Sequence, residues 1–177
     1  LPVRIPAIEM VEIGAGGGSI AKVDGMGRLQ VGPESSGADP GPAAYGRGGQ
    51  RATVTDADVV LGKVDPERFA GGSFGLRPDL AEQVVQADIG KPMGLDGRLA
   101  GFAIAEIVDE NMANAARVHA IEWGKDVAAR AMIAFGGAAP LHAARMAEKL
   151  EIGTIVVPTG AGVGSAIGFL RAPISYE

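Results

Sequence analysis

The sequence predicts an α/β chain with a mixed sheet and flanking helices. Three observations carry that prediction. Residues 131–157 read strand–helix–strand, a βαβ unit whose strands run parallel with a right-handed crossover. Residues 99–123 place Ile104, Ile107, Val108, Met112, Ala115 and Val118 on one apolar stripe at helical spacing. Residues 1–75 alternate short β-like runs with glycine turns.

Composition agrees with a folded chain. Gly and Pro together make up 39 of the 177 residues, about twice the usual share. Yet 47% of residues are hydrophobic and only 21% charged, the opposite of a disordered chain. Sixteen of the 28 glycines fall in residues 1–75, so a glycine-rich β and loop segment (1–75) precedes an α/β segment (76–177). The net charge of −5 leaves no basic surplus for phosphates, and we expect no nucleic-acid partner. No apolar run reaches membrane-spanning length and no signal peptide is visible, so no membrane association is expected. The absence of Cys removes disulfides, thiolate metal sites and cysteine nucleophiles. A cytoplasmic location is the expectation. The chain opens on Leu1 rather than Met, and we expect it to be a piece of a longer polypeptide.

Each element follows from local chemistry. Val11–Ile13, Ser19–Asp24 and Arg28–Val31 are candidate strands, the last two joined through Asp24-Gly25-Met26-Gly27 as a hairpin. Gly32–Pro42 holds too many Pro and Gly for a helix or inner strand and reads as a loop of fixed shape. Thr53–Val60 reads as a helix from Thr55 with a Thr-Asp cap, a strand being the alternative. Pro78–Ala87 is a short helix and Leu99–Trp123 a long one, stopped by Gly124. Ala131–Phe135 and Thr154–Val157 are expected to be buried strands. Pro140–Leu150 is the helix between them, started by Pro and stopped by Gly153. Val163–Leu170 is a final short helix.

Two glycine clusters and a few polar side chains are candidate site residues. Gly14-Ala15-Gly16-Gly17-Gly18-Ser19 lacks the lysine of a P-loop and the third glycine of a dinucleotide fingerprint. It is either a backbone that approaches an anion or substrate, or a glycine bulge between strands. Phe135–His142 joins a strand to a helix at the carboxyl end of a parallel strand, where ligands usually lie. Paired glycines there let a flat ring rest against the backbone, and close helix–strand packing is the alternative. His142 reads as a structural histidine or a general base. Asp39, Asp56 and Asp58 are candidate ligands of Mg²⁺ through water, or caps and turn residues. Arg47 can clamp an anion or pin its loop. His119 and Trp123 read as packing residues. No Ser-His-Asp order or paired-histidine metal motif is present.

Three stretches together resemble one family: Ile13–Ala21, Val31–Ala43 with its Gly-Pro-Glu-Ser…Pro-Gly-Pro core, and Thr53–Gly62. Tyr45–Gly49 and Phe135–His142 follow in the same order. The chain resembles the hydantoinase A/5-oxoprolinase family, which includes N-methylhydantoinase subunits and subunits of acetone and acetophenone carboxylases. The resemblance covers nearly all of the chain and corresponds to the latter part of the catalytic region.

The resemblance implies an actin-like (ribonuclease H-like) ATPase fold. It implies use of ATP and Mg²⁺ to phosphorylate the carbonyl oxygen of a cyclic amide before hydrolysis, or of a ketone before carboxylation. A non-catalytic assembly domain on the same fold is the alternative from another class. The Asp-x-Gly-Gly-Thr phosphate motifs of such folds are not in this sequence. They are expected upstream of Leu1, so this piece alone is expected not to hydrolyse ATP. Gly136, Gly137 and Ala138 match the adenosine motif. Gly16, Gly17, Gly18 and Ser19 would line the cleft, with Asp39, Arg47 and Asp56 as candidate catalytic groups. Metal ligands stay unassigned. Two positions depart from the family pattern: Ala139 stands where Gly is usual, and Ala44 where Cys is usual. A second subunit of hydantoinase B type is the implied partner, and a homo-oligomer is a further expectation.

Overall fold

The computed structural model describes residues 10–173; the opening stretch from Leu1, which reads as strand-like in the sequence, lies outside them. Two antiparallel strands open the fold, β1 (Ser19–Val23) and β2 (Leu29–Ser35). Asp24 makes the turn between them: its carboxylate accepts from the backbone N–H of Met26 and of Arg28, both at 2.9 Å. Gly27, at φ +76°, takes the left-handed conformation that the turn needs. β2 runs four residues past its expected end, through Gly32-Pro33. Its outer edge pairs with no other strand of the described residues, so the missing N–H of Pro33 costs no ladder bond. Val11–Ile13 form no strand. Val11 and Ile13 are exposed, and no strand among the described residues offers them backbone partners.

A helical layer packs on this hairpin. Helix α1 (Val54–Val60) begins one residue before the expected start. Thr53 and Asp56 form a capping box: the Thr53 hydroxyl accepts from Asp56 N–H, and the Asp56 carboxylate accepts from Thr53 N–H. α2 (Pro78–Val85) passes through a π-turn, Gln86–Gly90, into the short α3 (Lys91–Met93). The helical path therefore overruns its expected end at Ala87, because nothing breaks it before Gly94 at φ +67°. α4 (Gly97–Glu122) is capped by Asp96, which accepts from Leu99 N–H at 2.8 Å, and Gly124 at φ +60° follows it.

The core joins Ala21 and Val31 of the hairpin to Val54, Ala57, Val85, Ile89, Ala100, Ile104 and Val108. A seven-residue helix such as α1 is not stable alone in water. Each fully buried Val or Ile contributes about 1.5–3 kcal/mol, so packing on α4, rather than helix propensity, holds α1 in place. The α4 stripe is buried from Ala100 to Ala113 and becomes exposed by Val118. At the crossing, a Cβ on Gly101 would already touch Val60 and the carbonyl of Ala57, so the small residue sets how closely α1 and α4 approach.

The last layer is the βαβ unit: β3 (Ala131–Ile133), α5 (Ala139–Leu150) and β4 (Thr154–Val156), followed by α6 (Gly164–Arg171). β3 and β4 run parallel, Ala131 facing Thr154 and Ile133 facing Val156. They are shorter than expected and mostly exposed, not buried: Ile133 is 62% accessible and Val156 45%. A buried parallel strand needs neighbours on both faces and both edges, and among the described residues these two have only each other and a helix layer. Glu151, at φ +57°, ends α5 in place of the expected Gly153.

Candidate functional site

A cleft of about 930 Å³ lies between the two glycine clusters. One wall carries Gly17 and Gly18. Their turn is stitched down by its own hydrogen bonds: Ser19 N–H donates to Gly16 C=O at 3.0 Å, and Thr55 N–H donates to Gly17 C=O at 2.8 Å. Ser36 N–H donates to Gly18 C=O at 2.9 Å. A Cβ on Gly17 would come within 2.6 Å of the Thr55 hydroxyl, and one on Gly18 within 2.8 Å of the Ser35 hydroxyl. These glycines therefore let the turn press against α1 and the end of β2. The opposite wall carries Gly136, Gly137 and Ala138 at the start of α5. Gly136 N–H donates to Ala161 C=O at 2.8 Å, which ties this turn to the loop before α6. Gly136 has φ +107°, and a Cβ on it or on Gly137 would meet no protein atom within 4 Å. Open space, not packing, lies beside that pair.

Between the walls the cleft floor reaches Tyr45, Thr55, Asp58, Lys63 and Phe69. Tyr45, Phe69 and Phe74 pack as an aromatic cluster, with Tyr45 and Phe74 edge-on at 5.4 Å. Burial raises the Tyr45 pKa, and the carboxylate of Asp56 adds to the rise, so its hydroxyl is neutral at physiological pH.

A line of charged groups runs inward from the floor. Lys63 Nζ lies 3.3 Å from Asp58 Oδ1, and Asp58 Oδ2 lies 3.2 Å from His142 Nε2. His142 Nδ1 lies 2.7 Å from Asp109 Oδ1. His142, Asp58 and Asp109 are buried. Burial works against a charged imidazole, but the hydrogen bond with Asp109 and the charges of Asp109 and Asp58 outweigh it, so the His142 pKa is raised to about 9. The histidine thus joins α1, α4 and α5 as an imidazolium between two carboxylates.

The other candidates lie elsewhere. Asp56 is buried, and its carboxylate accepts from Ala44 N–H at 2.7 Å, Thr53 N–H at 3.0 Å and the Thr53 hydroxyl at 2.7 Å. Burial raises its pKa, while these bonds pull the other way. Asp56 pins the Pro42–Tyr45 loop and does not line the cleft. Arg47 places its guanidinium 4.7 Å above the Phe74 ring, outside the cleft. Asp39 sits exposed on the loop after β2, also outside it. Gly16 and the buried Ser19 line a smaller hollow on the far side of their turn, with Gly14, Pro33 and Ser35. The structure thus brings Gly17, Gly18, Gly136, Gly137 and Ala138 to one cleft, and leaves Asp39, Arg47, Asp56, Gly16 and Ser19 away from it.

Sequence reasoning missed Lys63 and Asp109. Asp109 had a visible signal, an acid directly beside Val108 on a helix whose same stretch is otherwise apolar. Lys63 had none, because a lysine after a helix is ordinary.

The family model for hydantoinase/oxoprolinase matches residues 1–177. The chain is 42% identical over 167 residues to the acetophenone carboxylase gamma subunit of Aromatoleum aromaticum, covering 94% of this chain and 22% of that one. It is 38% identical over 175 residues to the caprolactamase subunit alpha of Pseudomonas jessenii, covering 99% and 25%. The crystal structure of the ATP-dependent caprolactamase from Pseudomonas jessenii superposes with a TM-score of 0.80 at 41% identity, over 88% of this chain and 22% of that one. The chain therefore spans about a quarter of the length of these relatives. Its described residues share their hydantoinase/actin-like ATPase fold. The match over the whole sequence, with the two glycine turns facing one cleft, places the chain in the hydantoinase/oxoprolinase family.

Proposed function

We propose that this chain supplies the nucleotide side of an ATP-dependent enzyme that activates a carbonyl oxygen, most simply that of a cyclic amide, for hydrolysis. One observation carries the reading: Gly136 and Gly137 leave open space beside their backbone, inside a cleft whose other wall is a second glycine turn. A purine ring lies flat only where no side chain intervenes. The residues present therefore fit a nucleotide, with Gly136, Gly137 and Ala138 on the adenosine side and Gly17 and Gly18 across the cleft. Gly16 and Ser19 shape the second turn from behind. Asp39 and Arg47 act as outer polar groups, and Asp56 as the residue that fixes the loop under Tyr45.

The described residues contain no group of three His, Asp or Glu placed to hold a metal. Mg²⁺ would enter with the nucleotide as part of the same proposal. ATP held between Gly136, Gly137 and Ala138 on one side and Gly17 and Gly18 on the other would supply the phosphoryl group that activates the amide oxygen, with ADP released; phosphate would then leave as water adds to the activated carbon and the ring C–N bond breaks. No helix of the described residues is long and apolar enough to cross a membrane; a cytoplasmic setting is part of the proposal. A second subunit of hydantoinase B type, and homo-oligomers of the assembly, belong to the same proposal.

A ketone carboxylase subunit is the second reading, favoured by the 42% identity to an acetophenone carboxylase subunit. The test is phosphate release by the full-length protein with its co-purified partner. A lactam panel should stimulate ATP use. Stimulation only by a ketone with bicarbonate selects the second reading, and no ATP use under either condition overturns both.

A further inference from the structure

The geometry points to Lys63 as an anion-binding residue of the cleft, held in position by the buried chain Asp58–His142–Asp109. The inference rests on the nucleotide reading and names the group that would meet the nucleotide's phosphates. Asp58 Oδ1 is buried and accepts no hydrogen bond within the described residues. Lys63 Nζ, at 3.3 Å, is a cation facing it, and Lys63 itself lines the cleft. An ammonium carries three donors. A contact this long leaves them available to a phosphate while the carboxylate holds the side chain over the cleft floor.

Charges alternate along the chain: Lys63 positive, Asp58 negative, His142 positive, Asp109 negative. Removing the imidazolium would take from buried Asp109 its paired cation and leave buried Asp58 with Lys63 alone, which is costly. The raised pKa of His142, about 9, keeps that charge at neutral pH. Asp109 bonds His142 Nδ1 at 2.7 Å, which turns Nε2 toward Asp58 Oδ2 and so directs Oδ1 at the lysine. A lysine ordered before binding loses less entropy when the anion arrives. His142 and Asp109 are positioning residues, because neither lines the cleft; Asp58 reaches its floor and holds Lys63 there. The arrangement also links the two walls: Asp58 is on α1, under the Gly17 turn, and His142 is on α5, one turn after Ala138.

The test uses the full-length protein with ATP and adenosine as separate probes in equilibrium binding. Lys63→Met should weaken ATP by about ten- to a hundredfold, the range for a lost charge-assisted hydrogen bond, and leave adenosine unchanged. Lys63→Arg should restore most of the ATP affinity. Asp109→Asn keeps the side-chain shape and should weaken ATP selectively by a smaller factor. Unchanged ATP affinity in Lys63→Met overturns the inference, and so does an equal loss for ATP and adenosine. Unchanged ATP affinity in Asp109→Asn overturns the positioning role. Failure of the parent protein to bind either probe instead removes the nucleotide reading, and this inference with it.

Discussion

At the scale of single residues, His142 shows how burial and pairing compete. Burial alone would make the imidazole neutral, but Asp58 on α1 and Asp109 on α4 reverse that and hold its pKa near 9. Lys63 is the remaining charged group of the chain, on the far side of Asp58. The ordinary histidine value is 6.5, so the folded state binds the proton more tightly than the unfolded one. The stabilisation is fully present below about pH 6.5 and is lost as pH rises through about 9. The thermal midpoint should therefore fall between pH 7 and pH 10, and fall less in Asp109→Asn, which lacks one of the two counter-charges. Scanning calorimetry across that range checks it; equal slopes for the two proteins would contradict the ion-paired histidine. The sequence left His142 open between a structural histidine and a general base. Its two partners lie 33 and 84 positions away in sequence, so no local pattern could name them.

At the scale of elements, the joint between α1 and α4 sets the cleft floor. Gly101 sits at the crossing, where a Cβ would make ordinary contact with Val60 and Ala57. Gly101→Ala should be tolerated, since helix propensity offsets the added contact. Gly101→Val adds two methyl groups into the same space and should destabilise by about 1–3 kcal/mol. Urea unfolding of both variants measures this, and an equal effect of Ala and Val would refute the close-packed joint. α5 is fastened to α4 differently. Arg145 bonds Glu106 and Lys149 bonds both Glu106 and Glu110, and these cations hold the Glu106 pKa down to about 2. The helices and the hairpin were legible because capping residues, glycine stops and the 3.6-residue period are local signals. The extension of β2 through Pro33 was not, because the cost of a proline in a strand depends on whether the edge is paired.

At the scale of the whole molecule, two segments far apart in sequence bring their glycines to one cleft. Both turns stood out in the sequence by composition, yet that they face each other follows only from how α1 and α5 pack on α4. The apolar character of β3 and β4 was legible as well. Their exposure was not, because burial depends on neighbouring layers, and among the described residues these strands have only each other and a helix layer. The central claim is that the space beside Gly136 and Gly137 holds a nucleotide. Its most direct test is the Michaelis constant for ATP in the full-length protein with Gly137→Leu. A Cβ at Gly137 meets no protein atom within 4 Å, so the substitution should leave folding intact and fill only the proposed ring site. The account predicts a Michaelis constant raised by about tenfold or more, as expected when a side chain displaces a buried ring contact. An unchanged value in a folded variant would contradict it.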